Sequence, residues 1–389
     1  MHKEAKKVFL KKDKERSLLN FHPWVFSGAI AQKERGIVDG DLVEVFSADK
    51  RLIATGHYNE GSIAVRLLIF GDRGITPDFW ITKIENAFNV RKNLGIVNEQ
   101  TNAYRLLHGE GDGLPGLIID IYNDTAVIQC HSMGMYFSLN EITEALKQVF
   151  KNKLTTIYDK TDEKISNVQP AFLLGNKTED VVLENAVKFY VNWSEGQKTG
   201  FFNDQRDNRN LLQTLSANKN VLNLFSYSGG FSVYALKGGA ANVDSVDSST
   251  KAKAWCEKNV ELNFSNASHT FYCEDAIDFL KKTETKYDIM IVDPPAFAKH
   301  LNAVDKASIG YKNLNHEALK KIKPGGIIFT FSCSQVIDKQ LFRKIIFKAA
   351  AQAKRTVRIL YQLTQPADHP VSVFHPEGEY LKGLVLQVD

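Results

Sequence analysis

Residues 220–247 read NVLNLFSYSGGFSVYALKGGAANVDSVD, and this stretch decides the fold of the C-terminal half of the chain. The apolar run 221–225 predicts a buried strand, and a turn of small residues connects it to a helix over 231–237. Residues 243–246 predict a second strand, which ends at the acid Asp247. Strand, glycine turn, helix and acid-terminated strand together indicate the nucleotide-binding half of a doubly wound α/β sheet.

The turn at 226–230, SYSGG, is not the G-x-G-x-x-G of dinucleotide-binding folds. It lacks the run of amides that a pyrophosphate needs at a helix N-terminus, which disfavours NAD and FAD. A nucleoside ligand without phosphates is favoured instead, and S-adenosylmethionine is the obvious one, with Asp247 placed to hold both ribose hydroxyls. Strand-Gly-Gly-helix units without a ligand also occur in α/β domains, so the turn alone leaves both interpretations open.

The residues after Asp247 alternate regularly between helical and strand-like patterns. Together with the first strand they predict a Rossmann-like sheet of seven strands that is mostly parallel and has one antiparallel strand. The predicted helices cover 250–264, 276–282, 313–323 and 338–353, and the predicted strands cover 269–273, 288–292, 326–331, 356–363 and 383–388.

Residues 1–72 predict a small β-rich domain, because β-prone runs at 43–46, 52–55 and 63–68 alternate with Asp, Gly and Asn turns. A basic cluster precedes these runs, and aromatic residues follow it. This combination fits contact with an RNA backbone, while a solvated, lysine-rich terminus is the alternative that composition leaves open. The basic residues are Lys3, Lys6, Lys7, Lys11, Lys12, Lys14 and Arg16, and the aromatic residues are Phe21, Trp24 and Phe26.

Residues 73–183 predict a mixed α+β central domain, and residues 184–389 predict the α/β domain. In the central domain a helix is expected to begin with Thr76 as its N-cap and to end at Gly95. The glycine-rich stretch 109–116 (GEGDGLPG) leads into a strand, whereas a phosphate-binding loop leads into a helix. We therefore predict a turn at this stretch.

Composition excludes several classes of protein. The net charge of +4 over 389 residues is mild and does not by itself indicate a nucleic-acid partner. The four cysteines show neither C-x-x-C spacing nor a Cys/His cluster, so no metal site and no disulfide framework are expected. No signal peptide is visible and no stretch approaches the roughly 18 apolar residues of a membrane span. A reduced cytoplasmic protein without a membrane partner is expected.

Two motifs that follow successive predicted strands can carry chemistry. Asp293-Pro294-Pro295 ends one strand, beside the crevice where such sheets bind ligands. Cys333 lies just beyond the next strand and is expected to be close to Asp293. Each motif also has a structural interpretation, because D-P-P occurs as a plain strand-ending turn and a lone cysteine is often a small core residue. A core position is expected for the other cysteines, Cys130, Cys256 and Cys273.

A cysteine beside an aspartate suits methyl transfer to carbon 5 of cytosine. That carbon is a weak nucleophile until the Cys333 thiolate adds to carbon 6 and converts the ring to an enamine. Asp293, hydrogen-bonded at N3 or N4, would stabilise the charge that develops on the ring. Loss of the carbon-5 proton and release of the thiolate complete the reaction.

Six segments of the sequence carry a family resemblance, strongest from Gln197 to the C-terminus. The chain resembles the bacterial large-subunit (23S) ribosomal RNA cytosine-C5 methyltransferases over nearly its whole length. The resemblance implies an N-terminal PUA-like RNA-binding domain, a mixed central domain and a class I S-adenosylmethionine-dependent methyltransferase domain. The segments are QKTGFFNDQRDNR (197–209), LNLFSYSGGFSVYA (222–235), DPPAFAK (293–299), FSCS (331–334), QPADHPV (365–371) and EYLKGLVL (379–386).

The resemblance also implies roles for individual residues. Cys333 and Asp293 would be catalytic, and Asp275 would contact the adenine amino group unless it serves only as a helix N-cap. His369 is assigned to the target pocket, with a structural role as the open alternative. The implied cofactor-binding residues are Lys198, Thr199, Gly200, Phe202, Asp204, Asn223, Phe225, Ser226, Tyr227, Asp247, Ser248, Asp275, Ala276 and Asp293. The implied substrate-binding residues are Pro294, Pro295, Phe297 and His369.

One departure from related enzymes concerns release of the product. Many other RNA cytosine-C5 methyltransferases carry a second cysteine where this chain has Pro294, which leaves open what assists release of the thiolate. Two rival functions remain: a methyltransferase acting on a ring nitrogen of guanine, which needs no thiolate, and a non-catalytic RNA-binding factor. The partner expected in each case is ribosomal RNA, and a homodimer is compatible with the sequence.

Overall fold

The computed structural model describes residues 5–167, 169–298 and 300–389. Lys3 of the predicted basic cluster lies outside the described residues. The described chain divides into two compact units. The first contains the residues up to Val182 together with 191–201 and 367–378, and the second contains 183–190, 202–366 and 379–389. The domain boundaries near residues 72 and 183 stay predictions.

The first unit begins with a β-rich layer. Its strand order is β2-β6-β5-β4-β1-β3, and β1 and β4 pair in parallel while the other neighbours are antiparallel. Valines that alternate along the strands are buried on the inner face, which confirms the predicted β-rich PUA-like fold. The strands are β1 (Lys6–Leu10), β2 (Trp24–Phe26), β3 (Ile30–Lys33), β4 (Leu42–Phe46), β5 (Leu52–Tyr58) and β6 (Ile63–Phe70), with helix α1 (Arg16–Leu19) after β1.

The same unit contains a second sheet with the order β11-β10-β9-β8-β7. Two amphipathic helices cover it, and Trp80, Ile84, Ile142 and Leu146 share one hydrophobic cluster with its strands. The predicted mixed α+β character is confirmed. The strands are β7 (Ala103–His108), β8 (Leu117–Tyr122), β9 (Thr125–Cys130), β10 (Thr156–Asp159) and β11 (Ala171–Leu174), and the helices are α2 (Phe79–Asn93), α3 (Met133–Phe137), α4 (Leu139–Val149) and α5 (Glu163–Ser166).

The predicted N-cap of α2 is wrong. Thr76, Pro77 and Asp78 form a turn in which the Phe79 N–H donates to the Thr76 carbonyl at 3.1 Å, and Asp78 is the N-cap. The helix starts later because its first backbone bond runs from the Thr82 N–H to the Asp78 carbonyl at 2.9 Å. The glycine-rich stretch 109–116 is a turn that precedes β8, as predicted.

The second unit is built on a seven-stranded sheet, counted over the described residues, with the order β16-β15-β14-β17-β18-β20-β19. All neighbours pair in parallel except those of β20, which is antiparallel to both β18 and β19. This confirms the predicted sheet. The strands are β14 (Asn220–Leu224), β15 (Asn242–Val246), β16 (His269–Tyr272), β17 (Tyr287–Val292), β18 (Ile322–Ser332), β19 (Val357–Leu363) and β20 (Lys382–Val388), and a separate ladder joins β12 (Glu179–Glu184) to β13 (Val187–Asn192).

Helices accompany this sheet, and one of them differs from its prediction. Helix α10 begins nine residues before the predicted position 313. Gly310 lies inside this helix, and the Phe297 ring occupies the space that a side chain would need there, 2.9 Å from an ideal Cβ. The helices are α6 (Arg206–Leu215), α7 (Gly230–Lys237), α8 (Thr250–Glu261), α9 (Ala276–Lys282), α10 (Val304–Lys321) and α11 (Lys339–Ala353).

No helix within the described residues is both long and apolar enough to cross a membrane. No group of three or more His, Cys, Asp or Glu side chains among these same residues is arranged to hold a metal ion.

Gly134 in α3 should tolerate no side chain. An ideal Cβ there lies 2.2–2.5 Å from atoms of the His57 side chain on β5. We expect Gly134→Ala to lower the free energy of unfolding by about 1–3 kcal/mol through overpacking. Urea unfolding should show this loss, whereas Gly28→Ala, where no atom lies within 4 Å of the Cβ, should change stability by at most about 0.5 kcal/mol. Equal effects of the two variants would contradict the packing argument.

Burial of His57 predicts a loss of stability in mild acid. Desolvation lowers the pKa of His57 from 6.5 to about 4, so the unfolded chain binds a proton in this window that the folded protein does not. The free energy of unfolding should therefore fall by roughly 3 kcal/mol between pH 7 and pH 4 on account of this group. His57→Leu should lose correspondingly less, as measured by urea unfolding at several pH values; identical losses would assign the pH dependence to other groups.

Candidate active site

Six strands of the described sheet run in one direction and end at the same edge, and β20 runs opposite to them. Leu224 of β14 is in register with Val246 of β15 and with Val292 of β17. The residues that follow these three positions, Phe225, Asp247 and Asp293, are therefore level with one another. In such sheets the crevice outside the carboxyl ends binds ligands, so this edge is the candidate active site.

The turn after β14 is held in an unusual backbone conformation. Phe225 and Tyr227 have positive φ angles of 55° and 47°, which are strained for bulky side chains. Gly229 also has a positive φ, and an ideal Cβ there would lie 2.4 Å from Cys256 Sγ. The Ser226 hydroxyl is buried, and its oxygen has no hydrogen-bond partner among the described residues. Strain and an unsatisfied buried hydroxyl together indicate a ligand-binding turn.

Asp247 organises this turn from the end of β15. Its Oδ2 accepts the Tyr227 N–H at 3.0 Å and its Oδ1 accepts the Ser249 N–H at 3.0 Å. The Asn259 side chain on α8 donates to the Ser228 carbonyl at 2.8 Å. Each carboxylate oxygen has a second lone pair, so Asp247 can brace the turn and still accept ligand hydroxyls. Ser248, the next residue, is exposed.

Asp275 is the N-cap of α9. Its Oδ1 accepts the N–H groups of Ile277 at 2.8 Å and Asp278 at 3.0 Å. The side chain is exposed, and Ala276 behind it is buried. Asp275 therefore does cap the helix, as the structural alternative proposed. Because the cap uses only one carboxylate oxygen, the other oxygen can still accept a hydrogen bond from a ligand. Contact with adenine stays a prediction.

A second polar network lies beneath the turn. Asn223 is buried in β14, and its amide donates to Ser232 Oγ at 2.8 Å. The Ser232 hydroxyl also bonds to Ser245 Oγ on β15 at 2.7 Å. Asn223 therefore ties the strand to the first turn of α7. Its predicted cofactor role stays untested, and the contact made here is structural.

The segment Phe202–Arg209 is anchored in the second unit by a buried ion pair. Arg209 Nε and Nη2 donate to the two oxygens of Glu184 at 2.8 and 2.6 Å, and Arg209 Nη1 donates to the Phe202 carbonyl at 3.0 Å. Asp204 accepts the Tyr380 hydroxyl at 2.7 Å. The Phe202 ring meets the Tyr227 ring edge to face at 5.2 Å between centroids. Phe202 is thus brought to the turn at 226–230, the predicted cofactor turn.

Three further predicted cofactor-binding residues, Lys198, Thr199 and Gly200, belong to the first unit. Thr199 is buried, and its hydroxyl donates to Asp120 Oδ2 at 2.5 Å. The Tyr122 hydroxyl accepts the Phe201 N–H at 3.2 Å. The central sheet, in which the sequence showed no chemistry, therefore holds the backbone of this segment.

Asp293 follows β17, and a chain of amides orients it. Gln205 Nε2 donates to Asp293 Oδ2 at 2.8 Å, and Asn208 Nδ2 donates to Gln205 Oε1 at 2.6 Å. Pro294 is buried and Pro295 is exposed. Phe297 packs on Tyr311, with 4.5 Å between ring centroids. The D-P-P loop is therefore fixed on one side by amides and on the other by an aromatic pair.

Cys333 lies immediately after β18, the strand next to β17, as predicted. Val292 pairs with Thr330, so Cys333 lies two residues beyond the level of Asp293, roughly 7 Å along the strand direction. Cys333 is partly exposed, whereas Cys130 and Cys256 are buried, as expected for core residues. The expectation for Cys273 is wrong: this residue follows the end of β16 and is exposed.

His369 lies in the first unit and is buried. Its Nδ1 is 3.0 Å from Asp368 Oδ1, and its ring centroid is 5.1 Å from that of His108. Asp368 Oδ2 accepts the Arg105 N–H at 3.0 Å. These contacts are structural, and contact of His369 with substrate stays a prediction.

Sequence reasoning assigned no role to several residues that shape this site. Gln205 occurs in the segment 197–209 that carried the family resemblance, but its letter alone does not show that it reaches Asp293. Asn259 and Tyr311 are polar residues on the buried faces of α8 and α10, and buried polar groups usually make specific hydrogen bonds. Lys382 likewise interrupts an apolar strand.

Comparisons with known proteins agree with this architecture. The family model described as a PUA-like domain matches residues 8–70. The family model described as an S-adenosylmethionine-dependent methyltransferase matches residues 166–379, more than half of the chain. Two solved structures cover 98% of this chain and 99% of their own at 28% identity: a putative SAM-dependent methyltransferase from Streptococcus mutans with a TM-score of 0.84, and a putative methyltransferase complexed with SAH with a TM-score of 0.85.

Curated relatives match from end to end. A ribosomal RNA large subunit methyltransferase I from Aeromonas salmonicida is 39% identical, with 98% of each chain covered. The protein of the same name from Serratia proteamaculans is 37% identical, with 98% of this chain and 99% of that protein covered. The cofactor is S-adenosylmethionine. The chain therefore belongs to the S-adenosylmethionine-dependent methyltransferases, among the relatives of ribosomal RNA large subunit methyltransferase I.

Proposed function

We propose that this protein methylates carbon 5 of a cytosine in large-subunit ribosomal RNA, with Cys333 as the nucleophile. The observation that carries the proposal is that Asp293 follows β17 and Cys333 follows the adjacent strand β18. A thiol that is partly exposed and a carboxylate thus share one strand edge with the cofactor turn. A guanine-nitrogen methyltransferase has no use for a thiol at this position.

The residues of the strand edge fit S-adenosylmethionine. The unsatisfied, buried Ser226 hydroxyl offers a hydrogen bond to a ligand at the strained turn. Asp247 retains lone pairs for ribose hydroxyls, and the second oxygen of Asp275 is available for the adenine amino group. Phe202 and Tyr227 provide aromatic walls. When bound, the cofactor supplies an electrophilic methyl group.

The Cys333 thiolate would add to carbon 6 of the target cytosine. The new S–C6 bond moves the π electrons of the ring and makes carbon 5 nucleophilic. After methylation of carbon 5, water takes the carbon-5 proton. The electron pair of the C5–H bond forms the C5–C6 double bond again. The S–C6 bond breaks, and its electrons return to sulfur. Cys333 is thereby regenerated.

Asp293 would accept a hydrogen bond from the exocyclic amino group of the cytosine, and as a neutral carboxylic acid it would donate one to N3, which gains electron density as the thiolate adds. The hydrogen bond from Gln205 to Oδ2 fixes the orientation of the carboxyl group. Because the polar edge of the pyrimidine gains charge during thiolate addition, a positioned group there stabilises the transition state. Gln205 acts through Asp293 and is a positioning residue.

The substrate assignment draws on the relatives and on the first unit. The relatives are named for the large ribosomal subunit RNA. In this chain, the exposed residues Lys11, Lys12, Lys14 and Arg16 precede the half-exposed Phe21. Cations that contact phosphates and aromatic rings that stack on bases are the usual elements of an RNA-binding surface.

Cys333→Ala should abolish methyl transfer while leaving cofactor binding intact, because only the thiolate addition is removed. Labelled S-adenosylmethionine and ribosomal RNA from cells lacking this protein would be incubated with enzyme, and the RNA digested to nucleosides. Wild type should place label in 5-methylcytidine, with a loss of at least about 10³-fold in the variant. Cys273→Ala, which removes an exposed cysteine, is the matched control and should retain activity.

Label in a methylated guanosine that survives Cys333→Ala would replace the cytosine assignment by the guanine-nitrogen alternative. Absence of saturable S-adenosylmethionine binding in wild type would favour a non-catalytic RNA-binding factor.

Asp247→Asn should weaken cofactor binding about tenfold or more. The amide can accept through one oxygen only, so either the Tyr227 or the Ser249 N–H loses its acceptor and a ribose contact is lost as well. Isothermal titration with S-adenosylmethionine measures the change. Asp278→Asn, which removes only an exposed pair with Lys281, should bind normally; equal affinity of the Asp247 variant and wild type would refute the ribose role.

A further inference from the structure

Lys382 places a buried ammonium beside the turn that contains Cys333. It is the first residue of β20 and pairs in register with Ser332 of the neighbouring strand β18. The residue is 4% exposed. Its Nζ donates to the Ser334 carbonyl at 2.7 Å and to the Tyr380 carbonyl at 2.7 Å. Lys382 therefore contacts the backbone on both sides of Cys333: its own backbone pairs with Ser332, and its ammonium group binds the carbonyl of Ser334.

The rest of this turn is also fixed. Ser332 and Ser334 are buried, and the Ser334 N–H donates to Ser332 Oγ at 3.4 Å. Ser334 Oγ accepts the Ala298 N–H at 3.3 Å and bonds to the Tyr311 hydroxyl at 3.0 Å. Cys333, which is partly exposed, is thus presented from a rigid support.

The ammonium of Lys382 has no ion-pair partner of its own among the described residues. Glu379 is paired with Lys339 instead, and Asp338 accepts the Leu341 N–H as the N-cap of α11. The third N–H of the ammonium makes no hydrogen bond with a described residue. A buried cation without a counter-charge is costly, and a thiolate at Cys333 would supply that counter-charge.

The protonation of Lys382 is consistent with such a partnership. Burial lowers the pKa of Lys382 to about 8, while the charge of Cys333 acts in the opposite direction. Glu379 and Asp338 also favour the ammonium, and Lys339 disfavours it. Burial raises the pKa of Tyr311, which therefore remains neutral. At neutral pH the ammonium form predominates, and it is lost as the pH rises through about 8.

We propose that Lys382 is a positioning residue that fixes the Cys333 turn and stabilises the Cys333 thiolate. The inference rests on the proposed function, in which the thiolate adds to carbon 6. The thiol proton goes to water before addition, and on elimination the S–C6 electron pair returns to sulfur beside the same ammonium. Lys382 thus assists thiolate release in this chain.

The test is the pH profile of Cys333 alkylation by iodoacetamide in the Cys273→Ser protein, which leaves Cys130 and Cys256 buried. The alkylation midpoint should lie below the value of about 8.5 typical of free cysteine. Lys382→Met should raise the midpoint by about one pH unit and slow alkylation about tenfold at pH 7, because a shift of one unit changes the thiolate fraction tenfold. Lys382→Arg should stay close to wild type.

Lys323→Met is the matched control, since Lys323 lies at the opposite end of β18 and pairs with Asp288; its midpoint should not move. An unchanged midpoint in Lys382→Met, or a wild-type midpoint at or above about 8.5, overturns the proposal. The second criterion needs no change at Lys382 and so does not depend on whether Lys382→Met folds. Binding of S-adenosylmethionine checks the folding of that variant. The assay contains no RNA, so a failure of the cytosine assignment leaves its outcome unchanged.

Discussion

The parallel hydrogen bonding of β14 to β15 and β17 is the constraint on which the candidate site depends. Its register places Phe225, Asp247 and Asp293 level with one another, although they come from positions spread over nearly 70 residues. Pairing of β17 with β18 adds Cys333 to the same edge. A shift of one residue in any of these ladders would turn the relevant side chains to the opposite face of the sheet, so the geometry of the site is inherited from the register.

Strain at this edge is balanced by contacts around it. The positive φ angles of Phe225 and Tyr227 are unfavourable by themselves, and Asp247 offsets them by accepting the Tyr227 amide. The buried pair of Arg209 with Glu184 holds the neighbouring segment in the second unit. Breaking such a pair from one side costs about 3–5 kcal/mol, because the remaining charge stays buried. These contacts therefore support the turn and the neighbouring segment without a ligand.

Local patterns predicted most of the elements and failed where a distant contact decided. The glycine turn, its flanking strands and the acid Asp247 were recognisable because each needs particular residues at fixed spacing. Helix α10 begins nine residues before its predicted start, and Gly310 in this additional part packs against the distant Phe297 ring. Cys273 looked like a core residue, but its strand ends one position earlier. Thr76 resembled an N-cap until the turn through Asp78 assigned that role to Asp78.

The sequence by itself determined the α/β class, the parallel sheet, the cofactor class and the two residues expected to perform chemistry, since these depend on periodicity and on motifs within single segments. Only the tertiary structure decided which groups support them. Gln205 reaches Asp293 across 88 positions, and Lys382 reaches Ser334 across 48. Such contacts carry no local signal, because a buried polar side chain finds its partner through the packing of whole strands and not through its neighbours in the chain.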